Sequence, residues 1–290
     1  MLRKIFAFVI CAAIFFTTTA NVSAADKWYW LNSNDKYSKY FEPDSVEIKK
    51  KVVTSDGREI PIEIEAWTRT TYSYEGAAET IKNYGITNIL PDPHALSYSV
   101  ALLRINPQNR TLQYAREDFY NANNQIIWSK GEGKVKEINS QSFDEDFYCA
   151  IVDEVFQLGE TDRKAADDRW IELYTFTNAD GDTINLTADT TTMRLKGSNL
   201  VLWEWQTTKN SAGQTLEIRL MKKAVNLTQG TEVIKSGRMW TPTNSWQDLN
   251  DEYDGAYRMI KGDEPDYKAL VRLRAYAKNN SRWVTRYALE

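Results

Sequence analysis

The chain is poor in the side chains that carry most enzyme chemistry. It holds one histidine and two cysteines in 290 residues. Zinc sites gather several His and Cys ligands, so neither a structural nor a catalytic zinc centre is expected. The single imidazole, His94, sits in Pro91-Asp92-Pro93-His94-Ala95. Ser97 and Ser99 are near it only along the chain, and a Ser-His-Asp relay is defined by geometry. No G-x-S-x-G elbow, phosphate loop, dinucleotide fingerprint or metalloprotease motif occurs. Cys149, between Phe147-Tyr148 and Ala150-Ile151, reads as a small buried apolar residue on a helix. No cofactor or metal is implied, and these gaps point away from catalysis.

An excess of positive charge is also missing. Lys and Arg number 36 against 40 Asp and Glu, for a formal net charge of −4. Such a chain has no electrostatic footprint for nucleic acid or an anionic bilayer. Abundant carboxylates do not make a glycosidase, which needs two of them at a fixed separation across a cleft. Glu63 and Glu65 share the solvent side of a strand pattern, and Asp144, Glu145 and Asp146 crowd a helix start. Asn178-Ala179-Asp180-Gly181-Asp182 spaces its oxygens alternately. Counted from Asn178, however, the sixth and twelfth positions are Thr183 and Asp189, not the Gly and Glu of a calcium loop. A β-turn is expected there.

What the sequence does have begins at its amino end. Arg3 and Lys4 form a short basic region, Ile5 to Phe16 are almost wholly apolar, and Val22-Ser23-Ala24 offers small residues before Ala25. This is the pattern of a secretory signal peptide over residues 1–24, with cleavage between Ala24 and Ala25. The apolar run is too short to span a bilayer, and no later run approaches the length a spanning helix needs. An exported protein is expected: extracellular, periplasmic or on the cell surface. Removing residues 1–24 leaves 34 basic against 40 acidic residues and takes Cys11 away, so Cys149 has no partner for an internal disulfide. The fold must rest on its cores, and the length suffices for two of them.

A faint internal repeat divides the remainder into two tandem α+β units, each an antiparallel sheet packed by one or more helices: 25–161, and 162–290 with a C-terminal helix and tail. Trp28-Tyr29-Trp30 opens the first and Trp170-Ile171-Glu172-Leu173 the second. A polar knot follows each, Pro43-Asp44-Ser45-Val46 and Asp189-Thr190-Thr191-Thr192-Met193. Alternating strands come next, Ile60, Ile62, Ile64 and Ala66 closing on Trp67, and Val201, Trp203 and Trp205 alternating with Leu200, Leu202 and Glu204. Ala101–Ile105 then matches Leu216–Leu220, and segments ending on Trp128 and Trp240 match each other. Asn106–Asn109 and Asn121–Asn124 punctuate hairpins. Helices are expected at 75–84 with Gly85 as the stop, from a Ser142/Glu145 capping box onward, at 244–260, and from Pro265 to Asn279. Trp30, Trp67, Trp170 and Trp205 are expected to be structural core, because large aromatics are usually mostly buried.

Leu103–Ser129, with Trp30, Asp44-Ser45-Val46, Trp67, Tyr120 and the helix from Phe143 in that order, resembles the surface-adhesin protein E-like domains of bacterial cell envelopes. The resemblance covers residues 26–157, and the second unit follows it only in outline. Asn123-Asn124 replaces the usual Asp-Gly turn, and the usual Cys pair is missing. The resemblance implies an antiparallel sheet with a packed helix and a non-enzymatic role outside the cytoplasm. The expected function is therefore adhesin-like binding of a protein or a cell-wall component. Glycan binding through exposed Trp and Tyr is one alternative, and an enzyme of unknown type the other.

Overall fold

The computed structural model describes residues 27–158, 169–249 and 255–287. These form two sheets, both antiparallel, with a few helices laid on them. The signal segment and the unit boundary near Asp162 lie outside the described residues.

The first sheet comprises β1 (Tyr29–Ser33), β2 (Tyr37–Phe41), β3 (Glu47–Val53), β4 (Glu59–Tyr72), β5 (Tyr98–Asn106), β6 (Thr111–Tyr120), β7 (Ile126–Lys130) and β8 (Lys136–Glu137). Its order is β1-β2-β4-β5-β6-β7; β3 also pairs with β4, and β8 with β6. The second comprises β9 (Trp170–Thr177), β10 (Thr183–Lys196), β11 (Asn199–Lys209), β12 (Thr215–Asn226), β13 (Thr231–Trp240), β14 (Gln247–Asp248) and β15 (Arg258–Met259). Its order is β9 to β14 in sequence, with β15 also on β13. The two sheets therefore run the same course. An edge strand leads to a strand interrupted by the polar knot, then to three long meandering strands, then to two short ones.

The knots are tied alike. Ser45 Oγ donates to Glu42 O at 2.6 Å and accepts the Trp67 backbone N–H at 2.9 Å. Thr192 Oγ1 donates to Asp189 O at 2.8 Å and accepts the Trp203 backbone N–H at 2.9 Å. Each hydroxyl pins the interrupted strand to the next one and satisfies a main-chain donor that the bulge would otherwise leave unpaired. The counterpart of Trp67 is thus Trp203, not Trp205. From that anchor the cross-strand partners are Leu102 and Lys222, so Ala101–Ile105 corresponds to Met221–Val225 rather than to Leu216–Leu220. Trp128 lies in β7 and Trp240 ends β13, the counterpart of β6, so those two do not correspond.

Each sheet buries one face. On the first, α1 (Tyr74–Asn83) and α2 (Glu145–Phe156) cover separate halves. Ala77 and Ile81 of α1 pack with Phe119 of the sheet, while Phe147 and Ile151 of α2 pack with Ile64, Leu103 and Ile105. Ser73 caps α1 by accepting the Gly76 N–H at 3.3 Å, and Gly85, at φ +65°, ends it. On the second sheet, α3 (Pro265–Asn279) and α4 (Ser281–Val284) cover Leu186, Leu200, Leu202 and Met221.

Several expectations fail, for physical reasons. None of the four named tryptophans belongs to a buried core. Trp30 is 56% exposed, and Trp67, Trp170 and Trp205 are half-buried. β1 is an edge strand in which Leu31 turns inward, which sends Trp30 out; its indole N–H donates to Ser33 Oγ at 2.9 Å. The buried tryptophans are Trp203 and Trp283. No capping box forms at α2. Its N-cap is Asp144, and the Glu145 side chain instead accepts from the Gln141 N–H at 2.9 Å and from two arginines. The described parts of 244–260 hold β14 and β15 instead of a helix, because both short segments pair with β13. On α3 the buried stripe is Ala269, Leu270, Leu273 and Ala277, with Tyr267 and Val271 exposed. Cys149 is exposed among the described residues.

The two units meet over a buried ionic junction. Glu145 pairs with Arg110 of its own unit and with Arg169 of the second at 2.7 Å. Arg169 also binds Asp189 at 2.8 Å, and fully buried Asp189 accepts from Ser140 Oγ of the first unit. Lys222 reaches Glu137 at 2.5 Å. Trp203 stands in register between Asp189 and Lys222, whose side chains both bond to the first unit. That is why this tryptophan is buried. The tail also crosses over, for Tyr287 packs into the first unit's core against Phe156, ring centres 5.0 Å apart.

Candidate functional site

The covered face of the first sheet is not covered evenly. α1 and α2 leave a strip between them, and the strand residues there are polar. Alternation puts Thr68 and Thr70 of β4, Ser99 and Ala101 of β5, and Glu117 and Phe119 of β6 on that face, with Thr70 opposite Ser99 opposite Phe119, and Thr68 opposite Ala101 opposite Glu117. Above this floor lies a cleft of about 400 Å³. Glu79, Thr80 and Asn83 of α1, with Tyr84 at its C-cap, form one wall, while Tyr37, Tyr114, Phe143 and Asp144 lie on the other side. Lys130, Lys134 and Lys136 stand at the rim.

The polar floor is wired together. Glu117 is buried and accepts from the Tyr84 hydroxyl and from Ser99 Oγ, the latter at 3.1 Å. Ser99 Oγ is also 2.6 Å from the Tyr72 hydroxyl. Tyr114 donates to Asp144 at 2.6 Å, and Lys136 pairs with the same carboxylate. Lys130 lies 4.5 Å over the Tyr84 ring and Lys136 4.9 Å over Tyr114, each a cation held against an aromatic face.

Burial pushes the Glu117 carboxyl above the ordinary glutamate range, against the pull of the Tyr84 and Ser99 donors. The phenols of Tyr72, Tyr84 and Tyr114 are pushed above theirs, first by burial and then by the nearby carboxylates. They stay protonated and act as donors. The cleft thus offers aromatic faces, hydroxyl donors, a buried carboxyl and flexible cations within one small volume. Those groups can hold a polar ligand by hydrogen bonds and ring stacking.

The residues considered for catalysis do not assemble here. His94 packs against the Tyr74 ring at 4.7 Å, and Cys149 is not part of the cleft. Glu63 and Glu65 pair with Lys50 and Arg104 on the opposite face. The Asn178 side chain caps its own turn by accepting from Asp180 and Asp182. The tryptophans lie elsewhere too. Trp67 borders a shallow outer hollow with Lys27, Trp28 and Arg116, and Trp170, Trp205 and Trp246 stand edge to face in a row at 6.3 and 5.9 Å. Sequence reasoning passed over Tyr84, Ser99, Tyr114 and Glu117. One signal was available: extending the inward positions Leu103 and Ala101 back by two lands on Ser99, a polar residue on a core face.

No protein-family model matches the chain, and no curated protein matches it.

Proposed function

We propose that the chain is an exported, non-catalytic binding protein of the cell envelope, and that its first unit holds a hydroxyl-rich ligand, a saccharide of cell-wall type, in the cleft between α1 and α2. One observation carries this reading. Four tyrosines, three lysines and two buried carboxyl groups line a single cleft of about 400 Å³, a size and composition suited to a sugar residue or two. Ring faces pack against the apolar side of a saccharide, and fixed donors and acceptors read its hydroxyls. The sequence supports export through Arg3-Lys4, the apolar run and the Ala24/Ala25 junction.

The test is binding of the exported chain to cell-wall fragments and defined oligosaccharides, followed by calorimetry. Tyr84→Phe and Glu117→Gln should each weaken binding about tenfold or more while the protein remains folded, since each removes a buried hydrogen bond to the ligand-facing floor. Saccharide binding that survives both changes undiminished would move the site elsewhere, with the row of Trp170, Trp205 and Trp246 next in line. A hydrolytic reading has one observation in its favour, namely that Glu117 and Asp144 are buried carboxylates of the same cleft. It predicts release of reducing ends, abolished by Glu117→Gln. The binding reading predicts none.

A further inference from the structure

Four arginines converge where the two units meet, and among the described residues two buried carboxylates face them. Arg110 and Arg169 take those carboxylates, Glu145 and Asp189. Arg194 of β10 and Arg286 of the tail have no anionic partner among the described residues. Arg194 donates to Gln108 O at 3.2 Å and to the Tyr148 hydroxyl at 3.1 Å, both neutral. Arg286 donates to three main-chain carbonyls, those of Thr191, Met193 and Trp283. The Nε of each guanidinium is shut away from solvent with nothing to bond to. A half-buried cation with a shut-in, unbonded Nε and no counter-charge is costly, and native structures ordinarily neutralise it.

The missing charge has a place to sit. A cavity of about 170 Å³ lies beside Arg194, bounded by Gln108 from the first unit, Lys196 from β10 and Tyr287 from the tail. The Gln108 side-chain amide Nε2 is likewise buried and without a partner. The walls therefore carry the positive charge of Arg194 and Lys196. Among the described residues no carboxylate lines the cavity. Burial pushes the Arg194 guanidinium below the ordinary arginine range, and the neighbouring charges of Arg110 and Arg286 push the same way, a repulsion that an anion would relieve.

We infer that this cavity is an anion-binding site at the junction of the two units, taking an oxyanion of the phosphate class, free or as the phosphate group of a larger molecule, through Arg194, Gln108 and Lys196. Its size admits a tetrahedral oxyanion. A guanidinium is the side chain best matched to such a group because it presents several donors in one plane. The site draws on both units, so occupancy also fastens them together. It is separate from the cleft of the first unit and does not depend on the reading given to that cleft.

The experiment is thermal unfolding and calorimetry of the exported chain with inorganic phosphate, against sodium chloride at matched ionic strength. Phosphate should give saturable binding and raise the melting temperature by about 5 °C or more at a hundredfold excess over Kd. Arg194→Gln should abolish the saturable phase. Should that variant fail to fold, Lys196→Ala, an exposed change at the mouth, should weaken phosphate about three- to tenfold without altering the melting temperature of the free protein. A simple phosphate diester tested beside inorganic phosphate tells a free ion from a group on a larger molecule. The proposal fails if phosphate does no more than chloride, or if Lys196→Ala binds as the parent does. It fails equally if phosphate acts only once residues 288–290 are removed, because a carboxylate of that segment would then be the resident anion.

Discussion

Arg169 and Asp189 meet at 2.8 Å where the two units join, and the same guanidinium reaches Glu145 of the other unit at 2.7 Å. One arginine thus ties a fully buried aspartate of the second unit to a buried glutamate of the first. Asp189→Ala leaves this guanidinium with Glu145 as its one carboxylate here and removes the acceptor of the Ser140 hydroxyl. The expected loss is about 3–5 kcal/mol of stability. Chemical denaturation should show it, and the unfolding curve should separate into two steps as the units uncouple. A loss below 1 kcal/mol with one cooperative step would show that the junction holds without this pair.

Tryptophan truncations should rank by burial. Trp203→Ala and Trp283→Ala remove buried side chains and should each cost about 3–5 kcal/mol. Trp30→Ala, on an exposed edge strand, should stay within about 1 kcal/mol. Urea midpoints of the three variants are the check, and a large effect at Trp30 would place a partner or further chain over β1.

Gly76 lies in the first turn of α1, where a Cβ would come 2.2 Å from the Lys36 carbonyl oxygen. That oxygen already accepts the Ser73 N–H at 2.9 Å, so it is not free to move aside. Gly76→Ala should cost about 1–3 kcal/mol by overpacking. It should also weaken ligand uptake, because α1 is one wall of the cleft. Stability and binding measured on the same preparation would reveal a change confined to one of them.

Glu117 gives a pH signature. Its folded carboxyl titrates above the ordinary value of 4.5, so between that value and the folded one the native state holds a proton the unfolded state has released. Stability therefore falls as pH rises through that window, and the deficit is full above it. Glu117→Gln removes the titration. The melting-temperature difference between wild type and variant should shift against the wild type as pH climbs from about 4.5. A difference independent of pH would mean that Glu117 titrates normally.

Much of the architecture was legible because it is local. The meander of the second unit, the α1 stop at Gly85 and the Pro265 start of α3 are written in alternation, turn residues and caps within a few positions of each other. The opening aromatic strand was read correctly as a strand, but its facing was not. Which side of β1 is inward depends on β2 and α2, and Leu31 rather than Trp30 won that contact. Glu145 was read as half of a capping box, a reasonable local role, until Arg110 and Arg169 claimed its oxygens from 35 and 24 residues away. The cleft was illegible for the same reason. Tyr84, Ser99, Tyr114 and Glu117 come from a helix end and two strands, and only the sheet register brings them together.

Tyr287 completes a core whose other buried residues lie between Phe41 and Val152. A ribosome delivers that earlier part of the chain first and the sealing ring only after the second sheet. For most of synthesis the first unit must therefore wait with one hole in its packing, held loosely enough to remain threadable. Closure of the first unit becomes a report that the second unit has arrived. A premature stop just before Tyr287 would leave both halves unfinished, and a quality-control protease would meet them as a single defective molecule.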